Sequence, residues 1–293
     1  MGKREIILIG KNSFIGQKLA ENLADKEVLH VIKNQINYYS KPNWFNLIKN
    51  NTTIVFLAFE NSLSAQKKNF YSYNINILNF FNLLDKYIKK NKIFPNIVFT
   101  STVTVYGDTK SQIVNESFNL NPKTEYDMSK IFFEKILIKL SINYNLKITI
   151  LRLSNVFGLS KVSKQKDRGV LSKIIKNIKN NKEVKIYGSG KYLRDYIYID
   201  DLVEGMIKCI KNTKPGTYNL CSGKSYSLLY IVKKIIKMYN LKVKIKFIKF
   251  AKNSSQIEKR NFIGSNKYFS ESFNWKTKFN LYKSLKLIYG DKL

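Results

Sequence analysis

Apolar residues recur along this chain in two alternating rhythms. Short runs built almost wholly from Ile, Val, Leu and Phe read as strands: EIILIG (5–10), EVLHVIK (27–33), TTIVFLAF (52–59), NIVFTST (96–102) and KITILRLS (147–154). Segments with apolar positions three and four apart lie between them and read as helices: SFIGQKLAENLADK (13–26), NFYSYNINILNFFNLLDKYIKK (69–90) and SKIFFEKILIKLSINY (129–144). Strands that are apolar on both faces belong in a sheet covered on both sides, and strand–helix alternation makes such a sheet parallel. The expected fold class is therefore α/β, a doubly wound parallel sheet. The later part is more mixed, with helices at 169–180 and 227–240 and a strand at 242–249. It is expected to form a smaller, mixed α/β C-terminal lobe. The expected boundaries are a first domain over 1–158, to which 193–211 returns, and a second over 159–293. A cleft is expected at the strand C-termini, where open parallel sheets bind ligands.

Composition narrows the partners. The 293 residues carry a formal net charge of +32, which invites a nucleic-acid reading. The lysines, however, are scattered over the whole chain and no nucleic-acid motif accompanies them, so the expectation is anionic small ligands and no nucleic acid. No apolar run reaches the 18 residues of a membrane span. The start, MGKREIILIG, runs straight into a strand without a leader pattern, and Cys209 and Cys221 have neither metal-site nor disulfide spacing. A cytoplasmic protein without a metal is expected. Of 52 basic residues only five are Arg: Arg4, Arg152, Arg168, Arg194 and Arg260. Arg that persists in so Lys-rich a chain marks places where its planar fork has a use.

Three motifs carry chemistry. GKNSFIG closes the first strand, with Gly10, Ser13, Phe14, Ile15 and Gly16 on a strand-to-helix turn. Such a turn presents backbone N–H groups and a helix N-terminus to a pyrophosphate, and it makes the first half a Rossmann-type dinucleotide site. Ser13 replaces the middle glycine but is short enough for close approach. At the end of the second strand, VLHVIKNQ has Ile32 where an NAD site places an acid, followed by Lys33. That favours NADP(H), with NAD(H) as the alternative. The third motif is Tyr126-x-x-x-Lys130, which puts a phenol and an ammonium on one helical face. The ammonium is expected to lower the Tyr126 pKa and ready it for proton exchange with a sugar oxygen. The same spacing also begins at Tyr106, Tyr187, Tyr230 and Tyr282, so spacing alone does not choose.

In order and spacing these segments resemble the extended short-chain dehydrogenase/reductases, the NAD-dependent epimerase/dehydratase family acting on nucleotide sugars. GKNSFIG looks like the family's cofactor loop, VFLAF (55–59) its fourth-strand segment, and STVTVYG (101–107) its catalytic Ser/Thr strand end. LRLSNVFG (151–158), RDYIYIDD (194–201) and YNLCSG (218–223) match later signatures. The resemblance implies Thr102, Tyr126 and Lys130 as catalytic residues. It implies Leu57, Ala58, Asn74 and Lys130 at the cofactor, with Lys130 on the nicotinamide ribose. Thr102, Asn155, Arg194 and Arg260 would hold a nucleotide-diphosphate sugar, and the family's habit implies a homodimer through helices such as 69–90 and 129–144. Arg152 reads as a structural ion pair, and Asp200 and Asp201 as anchors of the following helix. Ser101 and Thr104 read as structural.

The branches of the family need different groups. Dehydratases place an Asp–Glu pair directly after the catalytic hydroxyl; here Val103 and Thr104 stand there, so dehydration is not expected. Epimerisation beside a ketone, as in the fucose-type synthases, needs an extra Cys and His; His30 is the sole histidine and neither cysteine lies near the motif. The first expectation is NADPH reduction of a 4-keto (deoxy)hexose nucleotide sugar. The alternatives are an NAD-dependent 4-epimerase and a non-catalytic NAD(P)-binding scaffold.

Overall fold

A computed structural model describes residues 4–23, 28–32, 43–59, 70–110, 112–158, 170–250 and 259–289. In chain order they form β1 (Glu5–Ile9), α1 (Phe14–Leu23), β2 (Val28–Ile32), β3 (Thr53–Phe56), α2 (Phe70–Asn91) and β4 (Asn96–Thr102). There follow β5 (Ile113–Val114), α3 (Glu125–Tyr144), β6 (Ile148–Leu153), β7 (Asn155–Phe157), α4 (Val170–Lys179), β8 (Val184–Tyr187), β9 (Leu193–Tyr198) and α5 (Ile199–Lys211). The chain continues through β10 (Gly216–Leu220), β11 (Ser225–Ser227), α6 (Leu228–Met238), β12 (Ile245–Ile248), β13 (Ile263–Gly264), α7 (Lys267–Phe273) and α8 (Leu281–Tyr289).

Two compact units result. The first comprises Met1–Val105, Pro122–Arg152 and Gly205–Tyr218; the second comprises Tyr106–Asn121, Leu153–Glu204 and Asn219–Leu293. The chain therefore passes between the units several times.

A six-stranded sheet, in the order β10-β6-β4-β3-β1-β2, organises the first unit. β1 runs parallel to β2 and to β3, and β3 parallel to β4. The α/β parallel-sheet expectation holds here. Every residue of β3 and β6 is buried, as apolar-on-both-faces strands require. Phenylalanines from β3, β4, α2 and α3 fill one face. Phe56 lies 5.2 Å from Phe80 and 5.3 Å from Phe81, and Phe81 lies 5.8 Å from Phe133, between ring centroids. Such pairs contribute roughly 0.5–1.5 kcal/mol each beyond the area they bury.

α3 begins four residues before the start that its apolar spacing predicts. Thr124 is its N-cap, accepting from the Asp127 N–H at 3.2 Å, and Asn145 ends it in the left-handed region at φ 52°. A buried charged network locks this helix to the sheet. Arg152 on β6 donates to Glu134 on α3 twice, Nε to Oε1 at 3.1 Å and Nη2 to Oε2 at 2.6 Å. Ser101 on β4 donates to the same Oε1. Arg152 is thus a structural ion pair. In the second unit β9 pairs parallel with β7 and antiparallel with β11. Asp201, in the first turn of α5, accepts from the N–H groups of Lys278 and Phe279 at 2.8 and 3.0 Å, and its carbonyl accepts from buried Trp275 at 3.1 Å. Among the described residues no helix is long and apolar enough to cross a membrane, and no His/Cys/Asp/Glu group is arranged for a metal.

Removing one partner of a buried ion pair strands the other charge. Arg152→Ala should therefore lower unfolding stability by about 3–5 kcal/mol in denaturant titration. A loss below about 1 kcal/mol would mean that the pair is solvated rather than buried.

Candidate active site

The loop after β1 is a tight turn. Gly10 sits at φ +99°, and a Cβ there would lie 3.0 Å from the Ala58 backbone nitrogen. A Cβ on Gly16 would lie 2.3 Å from the Gly10 carbonyl oxygen. Only glycine fits both positions, where the backbone packs too closely for a side chain. Ser13 N–H donates to the Gly10 carbonyl at 3.0 Å, and Ser13 Oγ accepts from Gly16 N–H at 2.9 Å, capping α1. Capping uses an oxygen lone pair and leaves the hydroxyl proton to be donated. Leu57 N–H donates to the Ile9 carbonyl at 2.9 Å, which brings Leu57 and Ala58 beside Gly10. Phe14 and Ile15 open α1. This glycine cradle at a helix N-terminus fits a dinucleotide pyrophosphate. Ile32 ends β2 as the register partner of Ile9. An aliphatic residue thus stands level with the loop; Lys33 lies outside the described residues.

Thr102 ends β4, and a 3-10 turn over Val103–Tyr106 follows it. Thr102 is 7% exposed. Across from it α3 presents half-buried Tyr126 and buried Lys130 from its first two turns. Of the five Tyr-x-x-x-Lys spacings this one alone has its lysine buried; Lys110, Lys191 and Lys286 are exposed and Lys234 is half-buried. Tyr187, Tyr230 and Tyr282 are each about half exposed, and Tyr106 is fully buried. Lys130 Nζ donates to the Thr100 carbonyl at 2.7 Å and lies 3.3 Å above the centroid of the Phe59 ring. Asn74, buried on α2, donates to Ser129 Oγ at 2.8 Å, and Ser129 donates to the Glu125 carbonyl at 2.7 Å. Asn74 therefore braces the turn that carries the Tyr–Lys pair.

The expected lowering of the Tyr126 pKa is reversed in this arrangement. Burial pushes the phenol up, and the adjacent Asp127 carboxylate adds to the rise. Burial also holds the Lys130 amine well below its ordinary value, partly offset by Glu134. The ammonium lies 5.6 Å from the Tyr126 ring centroid, directed to Thr100 and Phe59, so desolvation outweighs its attraction for a phenolate.

One hydrogen-bonded chain escapes a reading by spacing. Thr102 Oγ1 and Thr104 Oγ1 are 3.0 Å apart, Thr104 donates to Asp127 Oδ1, and Thr104 N–H donates to Thr102 Oγ1 at 3.2 Å. Thr104 is thereby tied to Thr102. Lys123 N–H donates to Asp127 Oδ2 at 3.2 Å. The signal for Asp127 was available: Thr124-x-x-Asp127 has capping-box spacing, with Asp at the third helical position.

The remaining sequence-predicted residues belong to the second unit. Asn155 is exposed and donates to the Asp195 carbonyl at 3.2 Å. Arg194 donates to the Leu193 carbonyl at 2.9 Å and to that of Arg260, which is buried. Between them stands Asp195, fully buried, accepting from Ser222 and Gly223 N–H at 2.8 and 2.9 Å. Burial raises its pKa to about 6 against these hydrogen bonds.

Residues 6–221, which carry the glycine cradle, the strand-end hydroxyl and the Tyr–Lys pair, match the model of the NAD dependent epimerase/dehydratase family. The chain belongs to the NAD-dependent epimerase/dehydratase family. Among family relatives, the dTDP-D-glucose 4,6-dehydratase of Dictyostelium discoideum is 27% identical over 77% of this chain and 49% of its own length. A putative UDP-glucose 4-epimerase of Methanocaldococcus jannaschii is 29% identical over 54% of this chain and 51% of its own. The chain spans about half the length of these two relatives. In fold it is similar to UDP-N-acetylglucosamine 4-epimerase of Methanobrevibacter ruminantium, solved with UDP-N-acetylmuramic acid, at TM-score 0.83 and 21% identity over 98% of both chains. RMD from Pseudomonas aeruginosa, solved with NADPH, follows at 0.81 and 17%, also over 98% of both.

The raised Asp195 pKa has a sign. The folded state holds this proton more tightly than the unfolded chain, so the group's contribution is complete at low pH and lost as pH rises through about 6. Between about pH 3 and about pH 7 the wild type should lose roughly 3 kcal/mol of stability relative to Asp195→Asn, read from urea titrations. A pH-independent difference would place Asp195 in water.

Proposed function

We propose that this enzyme exchanges hydride at carbon 4 of a nucleotide-diphosphate sugar without eliminating water, with Thr102, Tyr126 and Lys130 as its catalytic residues. A bound nicotinamide cofactor supplies the hydride exchange. Tyr126, its phenol kept protonated by burial, gives a proton to the sugar oxygen or takes it back. Lys130, held on Thr100 and Phe59, would hold the ribose of the cofactor. Asn155, Arg194 and Arg260 of the second unit are proposed to bind the diphosphate, where guanidinium forks suit phosphate oxygens. Neither Val103 nor Thr104 titrates, which removes the acid–base pair that elimination needs.

Within this reading the hydroxyl of Thr102 supports one direction over the other. Thr104 has one hydroxyl proton and gives it to Asp127, so the Thr102–Thr104 bond takes its proton from Thr102. Thr102 then faces a sugar as an acceptor, which suits a substrate that arrives as an alcohol. That favours a 4-epimerase, which oxidises carbon 4 and reduces it again on the other face. The aliphatic Ile32 level with the cofactor loop supports the second reading, an NADP(H)-dependent 4-ketoreductase. A homodimer through α3 is proposed on its exposed Met128, Phe132 and Ile142.

Denaturing the purified protein and identifying the released cofactor separates the two. Near-stoichiometric NAD(H) supports the epimerase. An empty protein that oxidises NADPH only with a 4-keto nucleotide sugar supports the reductase, and release of water from a 4-hydroxy sugar would overturn both. Tyr126→Phe should lower turnover by roughly 10²-fold or more while cofactor binding stays intact. Retained activity would remove Tyr126 from its role.

A further inference from the structure

We propose that Asp127 is a positioning residue that sets the direction of the Thr102 hydroxyl, and so makes the site prefer the alcohol form of the sugar to the ketone form. The inference rests on the reading that Thr102 meets the reacting oxygen, and goes beyond it by naming what controls that contact.

The two oxygens of Asp127 have separate duties. Oδ2 accepts from the Lys123 N–H at 3.2 Å, just ahead of the helix, and so serves the start of α3. Oδ1 accepts from the Thr104 hydroxyl. The side chain is fully buried, so no water competes for either oxygen. An ionised carboxylate only accepts hydrogen bonds. Its demand is passed outward: Thr104 gives its proton to Asp127, and Thr102 gives its proton to Thr104 across 3.0 Å. Thr104 N–H, donating to Thr102 Oγ1 at 3.2 Å, occupies one lone pair of that oxygen. What remains for a ligand is a lone pair. A sugar hydroxyl donates to it; a ketone oxygen, itself only an acceptor, meets it unfavourably. Tyr126 on the same helix turn then carries the proton that a ketone needs. The acceptor and the donor for the reacting oxygen are thus set by neighbouring residues, 126 and 127.

Asp127→Asn inverts the chain. The amide oxygen keeps the Lys123 N–H, while the amide N–H turns to Thr104 in place of the lost acceptor. Thr104 then donates to Thr102, and the Thr102 proton turns outward. The test measures dissociation constants by calorimetry on the cofactor-loaded enzyme. The probes are UDP-glucose and UDP-4-keto-6-deoxyglucose, with the matching thymidine-diphosphate pair alongside. In the wild type the alcohol should bind tighter. In Asp127→Asn the ketone-to-alcohol ratio of dissociation constants should fall by roughly three- to tenfold, the worth of one hydrogen bond. Thr104→Val, which cuts the chain without touching the helix start, should also lower the ratio, and Thr104→Ser should restore it. If Asp127→Asn does not fold, the Thr104 pair decides. An unchanged ratio in folded variants, or equal weakening of both sugars, would overturn the inference and leave the functional reading standing. A wild type that binds neither sugar form overturns the functional reading and the inference with it.

Discussion

Two opposite charges sealed from water hold α3 in place. Glu134 and Arg152 share two hydrogen bonds, and Ser101 supplies a third to the same carboxylate. These three residues come from α3, β6 and β4. The same β4 ends in Thr102, and the same α3 opens with Tyr126 and Lys130. An ion pair of this kind is weak evidence for stability, since desolvation opposes the attraction. Its value here is positional. Sliding α3 along the sheet would pull the carboxylate away from the guanidinium and from Ser101.

The pair also shapes the electrostatics of the site. Glu134 stands one helical turn beyond Lys130 and partly supports its charge, while burial opposes it. Tyr126 and Lys130 therefore sit in an environment that disfavours ions on both. Burial thus favours the neutral form of each side chain. The second unit shows the same tension at Asp195, whose burial raises its pKa to about 6 although two backbone N–H groups hold its oxygens.

The fold was legible because both faces of its strands are apolar. β4 spans the residues that NIVFTST predicts, and β3 and β6 lie inside their predicted runs. The start of α3 was less legible. Thr124, Glu125, Tyr126 and Asp127 carry no apolar period; a cap and side-chain contacts specify that turn. The interleaving of the two units was hidden as well, because short crossings such as 106–121 leave no compositional mark. Within the site, Thr102, Tyr126 and Lys130 could be named from motifs. The direction in which Lys130 points could not, nor could the burial and the Asp127 charge that raise the Tyr126 pKa. Thr104 and Asp127 are 23 residues apart in sequence and meet only in three dimensions.

Six working groups, Thr124, Tyr126, Asp127, Ser129, Lys130 and Glu134, occupy eleven consecutive positions of one helix and its cap. Each residue added to or removed from an α-helix rotates everything beyond it by about 100°. A single-residue insertion between 127 and 134 would thus turn the N-terminal end of α3 away from β4 while Glu134 stayed with Arg152. This stretch can change its side chains but not its length. Its spacing constrains the fold as strictly as any residue in it, whereas a surface loop absorbs a change of length without rotating a helix face.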